Sequence, residues 1–345
     1  MALLERSVLS ESDIRMILAE RYQMREVGAV TSMEGGSANC FLITSSQGQS
    51  VLKEFQSGYS LADIAHEPDL TEFVRTHGIQ ATRFVPATTG EYVWEYRGRA
   101  FHLQGLVEGV VYPLNEAPEW LLRESAILLG RLHQALLGYP RLKEEMTAGW
   151  FSWDSAAKRH QYSDLISAAE KLAESEVRDR ILVDLRYKMG LISGVGNISI
   201  DPDRLTRRNT HGDYHIGQMV CGPESVRAIL DFSGACHQPS IWEIIRSYTY
   251  ADPACADGSI DTENLKCYTA LYLENDSLSR YDLEMMPCLY LFQLARSVYG
   301  YSQYLSTGAV NPEQLIRFAS WRTNMCRWLE ENADTLLREL GTLLK

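Results

Sequence analysis

Several things are scarce in this 345-residue chain, and each scarcity removes a class of protein. There are seven cysteines (Cys40, Cys221, Cys236, Cys255, Cys267, Cys288 and Cys326), an odd number, scattered and without a C-x-x-C pair. That pattern excludes a disulfide framework and a zinc ribbon, and reads as reduced core or surface thiols. Positive charge is also short, with 33 Lys and Arg against 45 Asp and Glu and a net charge of −12. A protein that grips a phosphate backbone needs a basic face, so no nucleic acid is expected as partner. No uncharged apolar run approaches the roughly 18 residues that span a bilayer, so no membrane partner is expected. The opening Met1-Ala-Leu-Leu-Glu-Arg reaches Glu5 and Arg6 before any apolar stretch of signal-peptide length, which makes the cytoplasm the expected compartment. Repeats and low-complexity tracts are absent too. What is present is 45% hydrophobic and 23% charged residues, a globular composition with enough apolar material for a core without staples. At about 150 residues per domain the length suggests two domains.

The order of textures along the chain is informative. Ser10-Glu-Ser-Asp ahead of Ile14, Ile17 and Leu18 predicts a capped helix, with apolar residues three and four apart. Short β-like runs follow at Val27–Met33, Asn39–Ser45 and Ser50–Phe55, the last two separated by Ser46-Gln-Gly-Gln as in a hairpin ladder. A helix is predicted over Ala62–Thr76, ended by His77-Gly78, and three more strands at Phe84–Pro86, Glu91–Tyr96 and Ala100–Leu106. After Glu108-Gly109 a leucine stripe from Leu121 to Leu132 marks a helix that runs to about Leu137. Most of the remainder reads as helical, including Asp282–Tyr304 and Pro312–Leu343. The exception is Thr210–Phe232, where Gln218–Cys221 and Ala228–Phe232 flank a turn at Gly222-Pro223. The expected fold class is therefore α+β, with a β-rich region over 1–106 and a mainly helical region over 107–345.

The chemistry concentrates in Thr210-His-Gly-Asp-Tyr-His-Ile-Gly-Gln218 and Ala228-Ile-Leu-Asp-Phe232. Asp213 and Asp231 stand 18 residues apart on either side of a short hairpin, which can bring two carboxylates to one end of itself. Phosphoryl transfer uses such a pair, one to orient the attacking hydroxyl and accept its proton, the other to hold Mg²⁺ on the phosphates.

His211-Gly-Asp213, a polar side chain five residues later and Ile229-Leu-Asp231 together resemble the signature of the aminoglycoside phosphotransferase and choline kinase-like family, which has a two-lobed protein-kinase-like fold. The homoserine-kinase-like and spore-coat-kinase-like branches fit about as well as the antibiotic-resistance enzymes. Gly35-Gly-Ser-Ala-Asn39 lies where that family has its phosphate-covering turn, and Lys53 where it has a phosphate-binding lysine. Glu67 suits the partner that orients this lysine, and Gln104-Gly-Leu-Val-Glu-Gly109 sits at the adenine-binding hinge between the lobes. Leu129-Gly-Arg-Leu-His133 resembles a further family helix.

The resemblance implies a role for each match. Residues 1–106 become a nucleotide-binding lobe and residues 107–345 a catalytic and acceptor-binding lobe. Asp213 becomes the catalytic base and Asp231 the principal Mg²⁺ ligand. Lys53, held by Glu67, contacts the α- and β-phosphates, amides around Gly35, Gly36 and Ser37 cover them, and backbone near Gln104 and Leu106 binds adenine. ATP or GTP with Mg²⁺ is the implied cofactor. The implied acceptor is a hydroxyl on a small molecule, which the acidic composition tilts toward amine-bearing compounds such as aminoglycosides and amino alcohols. Gln218 stands where the family has Asn as second metal ligand. Its amide oxygen is equally hard, but the extra methylene shifts its reach, and Mg²⁺ demands near-ideal geometry. That departure motivates the alternative of a non-catalytic kinase-like binding protein. The lack of His-Arg-Asp, Asp-Phe-Gly and Ala-Pro-Glu signatures weighs against a protein kinase.

Taken singly, several of these residues have plainer readings. Glu67 competes with Glu54 and Glu72; His133 reads as a satisfied core histidine, and His211 as a structural residue of its loop. His215 is a lesser candidate for substrate or metal contact. Glu243, after Trp242, is given no chemistry. Trp150, Trp153, Trp242, Tyr248 and Tyr250 read as core by default, with some of them able to line a pocket for a cationic amine.

Overall fold

The computed structural model describes residues 5–33, 38–152, 154–306 and 312–344. The chain divides into two compact units, Met1–Val111 with Gln218–Gly234, and Tyr112–Gly217 with Ala235–Lys345. Sequence order alone assigns residues 218–234 to the helical part; their contacts lie with the first unit.

Ser10 opens helix α1 (Glu11–Tyr22), accepting the Asp13 N–H while the Asp13 carboxylate takes the N–H of Ser10. Such a box satisfies two of the donors that a helix start leaves bare. Strands β1 (Val27–Met33), β2 (Asn39–Ser45) and β3 (Gly48–Glu54) form an antiparallel ladder, where the sequence has its short β-like runs. The helix expected over 62–76 is split into α2 (Leu61–Ile64) and α3 (His66–Thr76). Pro68 is the reason, since it has no N–H to give the carbonyl of Ile64 four residues back. Strands β4 (Phe84–Val85), β5 (Val93–Tyr96) and β6 (Arg99–Gly105) complete a sheet of order β1-β2-β3-β6-β4, with β5 also on β6. Ile14, Ile17 and Leu18 of α1 pack with Ile43, Leu52, Trp94, Phe101 and Leu103 of the sheet. Each such side chain, fully buried, contributes about 1.5–3 kcal/mol.

In the second unit, helix α4 (Glu119–Leu136) carries the leucine stripe and is followed by α5 (Ala148–Phe151), α6 (Ser155–Glu170) and α7 (Glu176–Val195). Strand β7 (Arg207–Thr210) then precedes β8 (Met219–Cys221) and β9 (Val226–Ile229), a hairpin that returns to the first unit. There Cys221 and Val110 exchange backbone hydrogen bonds of 2.8 and 2.9 Å, and the Ile229 N–H reaches the Gln80 carbonyl at 2.8 Å. Gly109 is obligatory at this junction, because a Cβ would stand 2.4 Å from the Cys221 carbonyl oxygen. Strand β10 (Cys236–Pro239) pairs with β7. Neither strand was legible in the sequence, because Arg-Arg-Asn-Thr and Cys-His-Gln-Pro show no apolar alternation. Buried side chains hold them instead: the Asn209 amide reaches the carbonyls of Tyr139 and Pro140 at 3.2 and 3.0 Å, and Gln238 reaches the Thr210 hydroxyl at 3.1 Å.

Helices α8 (Ser240–Ala251), α9 (Thr262–Leu273), α10 (Arg280–Arg296), α11 (Tyr301–Leu305) and α12 (Pro312–Gly341) finish the chain. The single helix expected over 282–304 is thus two, separated by an extended turn at Ser297. Tyr162, Ile181, Leu185, Ile192, Tyr301 and Ile316 form a core of this unit. Where α4 meets α9, a Cβ on Gly130 would lie 2.7 Å from the Tyr272 carbonyl oxygen and 2.9 Å from Asn275 Cβ. Replacing Gly130 by Ala is therefore expected to cost about 1–3 kcal/mol through overpacking and to lower the Tm by several degrees in a thermal melt. No helix among the described residues is long and apolar enough to cross a membrane.

Candidate active site

The first unit supplies a buried cation between carboxylates. Lys53 lies on β3 between Cys40 of β2 and His102 of β6, and its side chain is only 7% exposed. Its Nζ stands 2.6 Å from Asp231 Oδ1 and 4.6 Å from the Phe55 ring centroid. Burial alone would lower its pKa, but the carboxylates of Asp231 and Glu67 more than offset this and hold it above the ordinary lysine range. Asp231 follows β9 with φ +60°, a left-handed conformation that Asp adopts more readily than most residues. This turn delivers the carboxylate to Lys53, and the Ser233 hydroxyl donates to the same oxygen at 2.6 Å. The Asp231 side chain is 26% exposed.

Glu67, in the first turn of α3, is buried, and its Oε2 lies 3.3 Å from His102 Nε2 without hydrogen-bond geometry. Its rivals are engaged elsewhere: Glu54 accepts from Ser7 and Val8, and exposed Glu72 pairs with Arg75. Gln218 sits at the start of the hairpin, where its carbonyl accepts the Leu230 N–H at 2.8 Å, so that Gln218 and Asp231 flank the same end of it. Gln104 on β6 is paired with both Val51 and Phe84. Just beyond it, the Leu106 N–H is donated to the Gln49 carbonyl at 3.2 Å. Gly35, Gly36 and Ser37 lie outside the described residues, as does Trp153.

The second unit presents Asp213 in a loop organised by histidine and glutamate. Asp213 Oδ1 accepts from Arg246 Nη2 at 2.5 Å, and its N–H donates to His211 Nδ1 at 3.3 Å. Burial would raise the Asp213 pKa, yet the Arg246 guanidinium, followed by His215 and His211, holds it well below the usual carboxylate range. Arg246, on α8, is itself raised, with burial opposing and Asp213 the chief support. His215 accepts the Gly217 N–H at Nδ1, 3.0 Å away, which leaves its proton on Nε2, 3.7 Å from Asp213 Oδ2. Burial, the largest cause, lowers the His215 pKa despite that carboxylate.

Beneath the loop lies a fully buried Glu243. Its carboxylate accepts the His211 and Tyr214 N–H groups at 3.1 and 3.4 Å and stands 2.9 Å from His133 Nε2. Burial raises the Glu243 pKa, but the His133 hydrogen bond and charge lead the contacts that bring it below the ordinary glutamate range. His133 and His211 are structural, as the sequence suggests, and Glu243 is the residue that joins them. Arg246, His102 and the role of Glu243 escaped sequence reading. The available signal was Ile241-Trp-Glu-Ile-Ile-Arg246, two charges three residues apart in an otherwise apolar helix.

Taken as donor sets, neither unit forms a metal cage: among the described residues no three His, Cys, Asp or Glu side chains converge. A Mg²⁺ that arrives on a nucleotide needs only one or two protein carboxylates, with phosphate and water oxygens filling the rest. The partly exposed carboxylate of Asp231, at the same end of the hairpin as Gln218, fits that requirement.

Comparison with known proteins gives the family and the fold. The model of the phosphotransferase enzyme family matches residues 30–269, well over half of the chain. Among solved structures, a spectinomycin phosphotransferase in complex with ADP and spectinomycin is similar with a TM-score of 0.65 and 11% identity, covering 94% of this chain and 100% of that one. An amicoumacin kinase in complex with AMP-PNP, Ca²⁺ and Ami has a TM-score of 0.61 at 14% identity, covering 95% and 94%. A microcompartment-associated aminopropanol kinase has a TM-score of 0.60 at 14% identity, covering 95% and 98%. A search of curated protein sequences finds no match.

Proposed function

The chain belongs to the phosphotransferase enzyme family, and from that premise we propose that it moves the γ-phosphate of ATP or GTP to a hydroxyl of a small molecule, with Asp213 as base and Asp231 as metal ligand. The observation that carries this reading is the ion pair between buried Lys53 and Asp231, with Glu67 as a second carboxylate acting on the lysine. An ammonium held charged next to a partly exposed carboxylate is suited to polyphosphate with a divalent cation. The similar structures that hold AMP-PNP or ADP support the choice of nucleotide.

In this reading the first unit binds nucleotide. Lys53 contacts the α- and β-phosphates, amides around Gly36 and Ser37 cover them, and backbone at Gln104 and Leu106 receives adenine. Asp231 and Gln218 hold Mg²⁺, which when bound neutralises charge on the phosphates. Asp213 in the second unit orients the acceptor hydroxyl and takes its proton. The acceptor oxygen bonds to the γ-phosphorus as the bond from that phosphorus to the β-bridging oxygen breaks, and the nucleoside diphosphate leaves. Catalysis is then mainly positioning and electrostatics.

The test is release of ADP or GDP with Mg²⁺ against a panel of small alcohols, alongside the melting temperature with and without Mg²⁺-nucleotide. Acceptor-stimulated release, with phosphate recovered on the small molecule, is the expected result. No release and no shift of the melting temperature with either nucleotide would overturn the reading.

A further inference from the structure

We propose that the acceptor is a small hydroxy acid, whose carboxylate is received by Arg322 while its hydroxyl meets Asp213. The inference rests on the assignment of Asp213 as base and deepens it by naming the acceptor's chemistry.

Arg322, on α12, is buried, with 7% of its surface exposed. Its guanidinium donates to the Ser297 hydroxyl at 2.9 Å and to the Gln293 amide oxygen at 3.3 Å, and sits 5.6 Å from the Phe318 ring centroid. Every one of these partners is neutral, and among the described residues no carboxylate pairs with Arg322. A guanidinium withdrawn from water without a counter-charge is costly, and the cost is recovered when a ligand supplies the anion. The planar fork of arginine also matches a carboxylate with two parallel hydrogen bonds.

This cation belongs to the surroundings of Asp213. Arg246, which holds Asp213, lies 4.4 Å from the Tyr250 ring centroid. The Tyr250 ring contacts Phe318 at 6.0 Å and Trp321 at 5.4 Å, and Tyr299 contacts Phe318 at 5.9 Å. Asp213 and Arg322 both act electrostatically on the Tyr299 hydroxyl, so that tyrosine stands within reach of each. Ring contacts through Tyr250 and Phe318 thus link Arg246, which holds Asp213, to the Arg322 guanidinium.

The same inventory argues against a cationic acceptor. An ammonium group here would meet Arg246 and Arg322, and the carboxylate in the cluster is Asp213 itself, already paired with Arg246. The overall charge of −12 does not decide the matter, because exposed charges further away than about 8 Å are screened at physiological salt, whereas buried ones at the site are not.

The experiment compares hydroxyl compounds of two to six carbons, each offered as acid, amide and amine, in nucleoside diphosphate release by the wild type, Arg322→Gln and Arg322→Lys. Melting temperatures with Mg²⁺-ATP and Mg²⁺-GTP are recorded in parallel. The wild type is expected to prefer an acid over its own amide by about 30-fold or more in kcat/KM, as expected for one charge-assisted pair. Arg322→Gln should raise KM for the acid by a similar factor and leave the amide unchanged, with partial rescue by Arg322→Lys. Preference for amines, equal use of acid and amide, or an equal loss on both in Arg322→Gln would overturn the inference. Turnover of no compound, with Mg²⁺-ATP still raising the melting temperature, also overturns it and leaves the kinase reading in place. Loss of the nucleotide effect itself counts against the kinase reading and removes the basis of this inference with it.

Discussion

Asp213→Asn is expected to lower kcat by about 10²- to 10⁴-fold, the range for removing a positioned general base, while KM for nucleotide stays close to that of the wild type. The substitution keeps shape and removes only the ability to accept a proton. It also leaves the Arg246 guanidinium without its charge partner, so some loss of stability should accompany it, up to about 3–5 kcal/mol for a buried ion left unpaired. A melt at the assay temperature separates the two effects. The pH dependence follows from the same pair. The folded Asp213 carboxyl titrates below the usual range, so it stays ionised as pH falls through the value it has in the unfolded chain. Any stability it contributes is present above that ordinary value and is lost only as pH falls through the depressed one. An acid limb of kcat/KM set by Asp213 therefore lies below the ordinary carboxylate range. In Arg246→Gln that limb should move to higher pH; an unmoved limb would show that another group sets it.

Asp231→Asn is the second variant with a large expected effect. It should abolish Mg²⁺-dependent turnover and most of the melting-temperature gain from Mg²⁺-nucleotide. Lys53 keeps Glu67 as a counter-charge, so the stability cost should be about 2–3 kcal/mol, below that of a fully uncompensated buried charge. The φ of +60° gives a useful control. Asn tolerates the left-handed region nearly as well as Asp, whereas Asp231→Ala adds about 1–2 kcal/mol of backbone strain. Urea titration of the two variants should show Ala below Asn by that margin. Equal midpoints would mean that the turn relaxes.

Much of this was legible in the sequence because local rules were obeyed. The short β-like runs Val27–Met33 and Asn39–Ser45 become strands with those bounds. Ser10 with Asp13 announces a helix start. Lys53 and Asp231, remote in sequence, are joined in the structure by an ion pair, whereas the sequence pointed to Glu67 as the partner of Lys53. What escaped was decided by tertiary contacts. Arg246 and Arg322 look like solvated charges on helices until the helices around them are packed. Glu243 looks inert until His133 and the His211 amide converge on it. Strands β7 and β10 are held by Asn209 and Gln238, whose buried hydrogen bonds leave no hydrophobic period to read. Pro68 is visible in the sequence, but the apolar face of Leu70 and Val74 continues across it and hides the break at the carbonyl four residues earlier.

The first unit is assembled from two stretches of chain, Met1–Val111 and Gln218–Gly234. A ribosome delivers them in that order, with Tyr112–Gly217 in between. When the sheet strands have emerged, the hairpin that pairs with Val110 and Gln80 has not yet been translated, and neither has Asp231, which neutralises Lys53. The nascent sheet must therefore wait with a lysine inside it that is only partly compensated, and its final closure is a late event of biosynthesis. A chain stalled before residue 218 holds an incomplete nucleotide unit, whereas one released after residue 234 holds all of its segments.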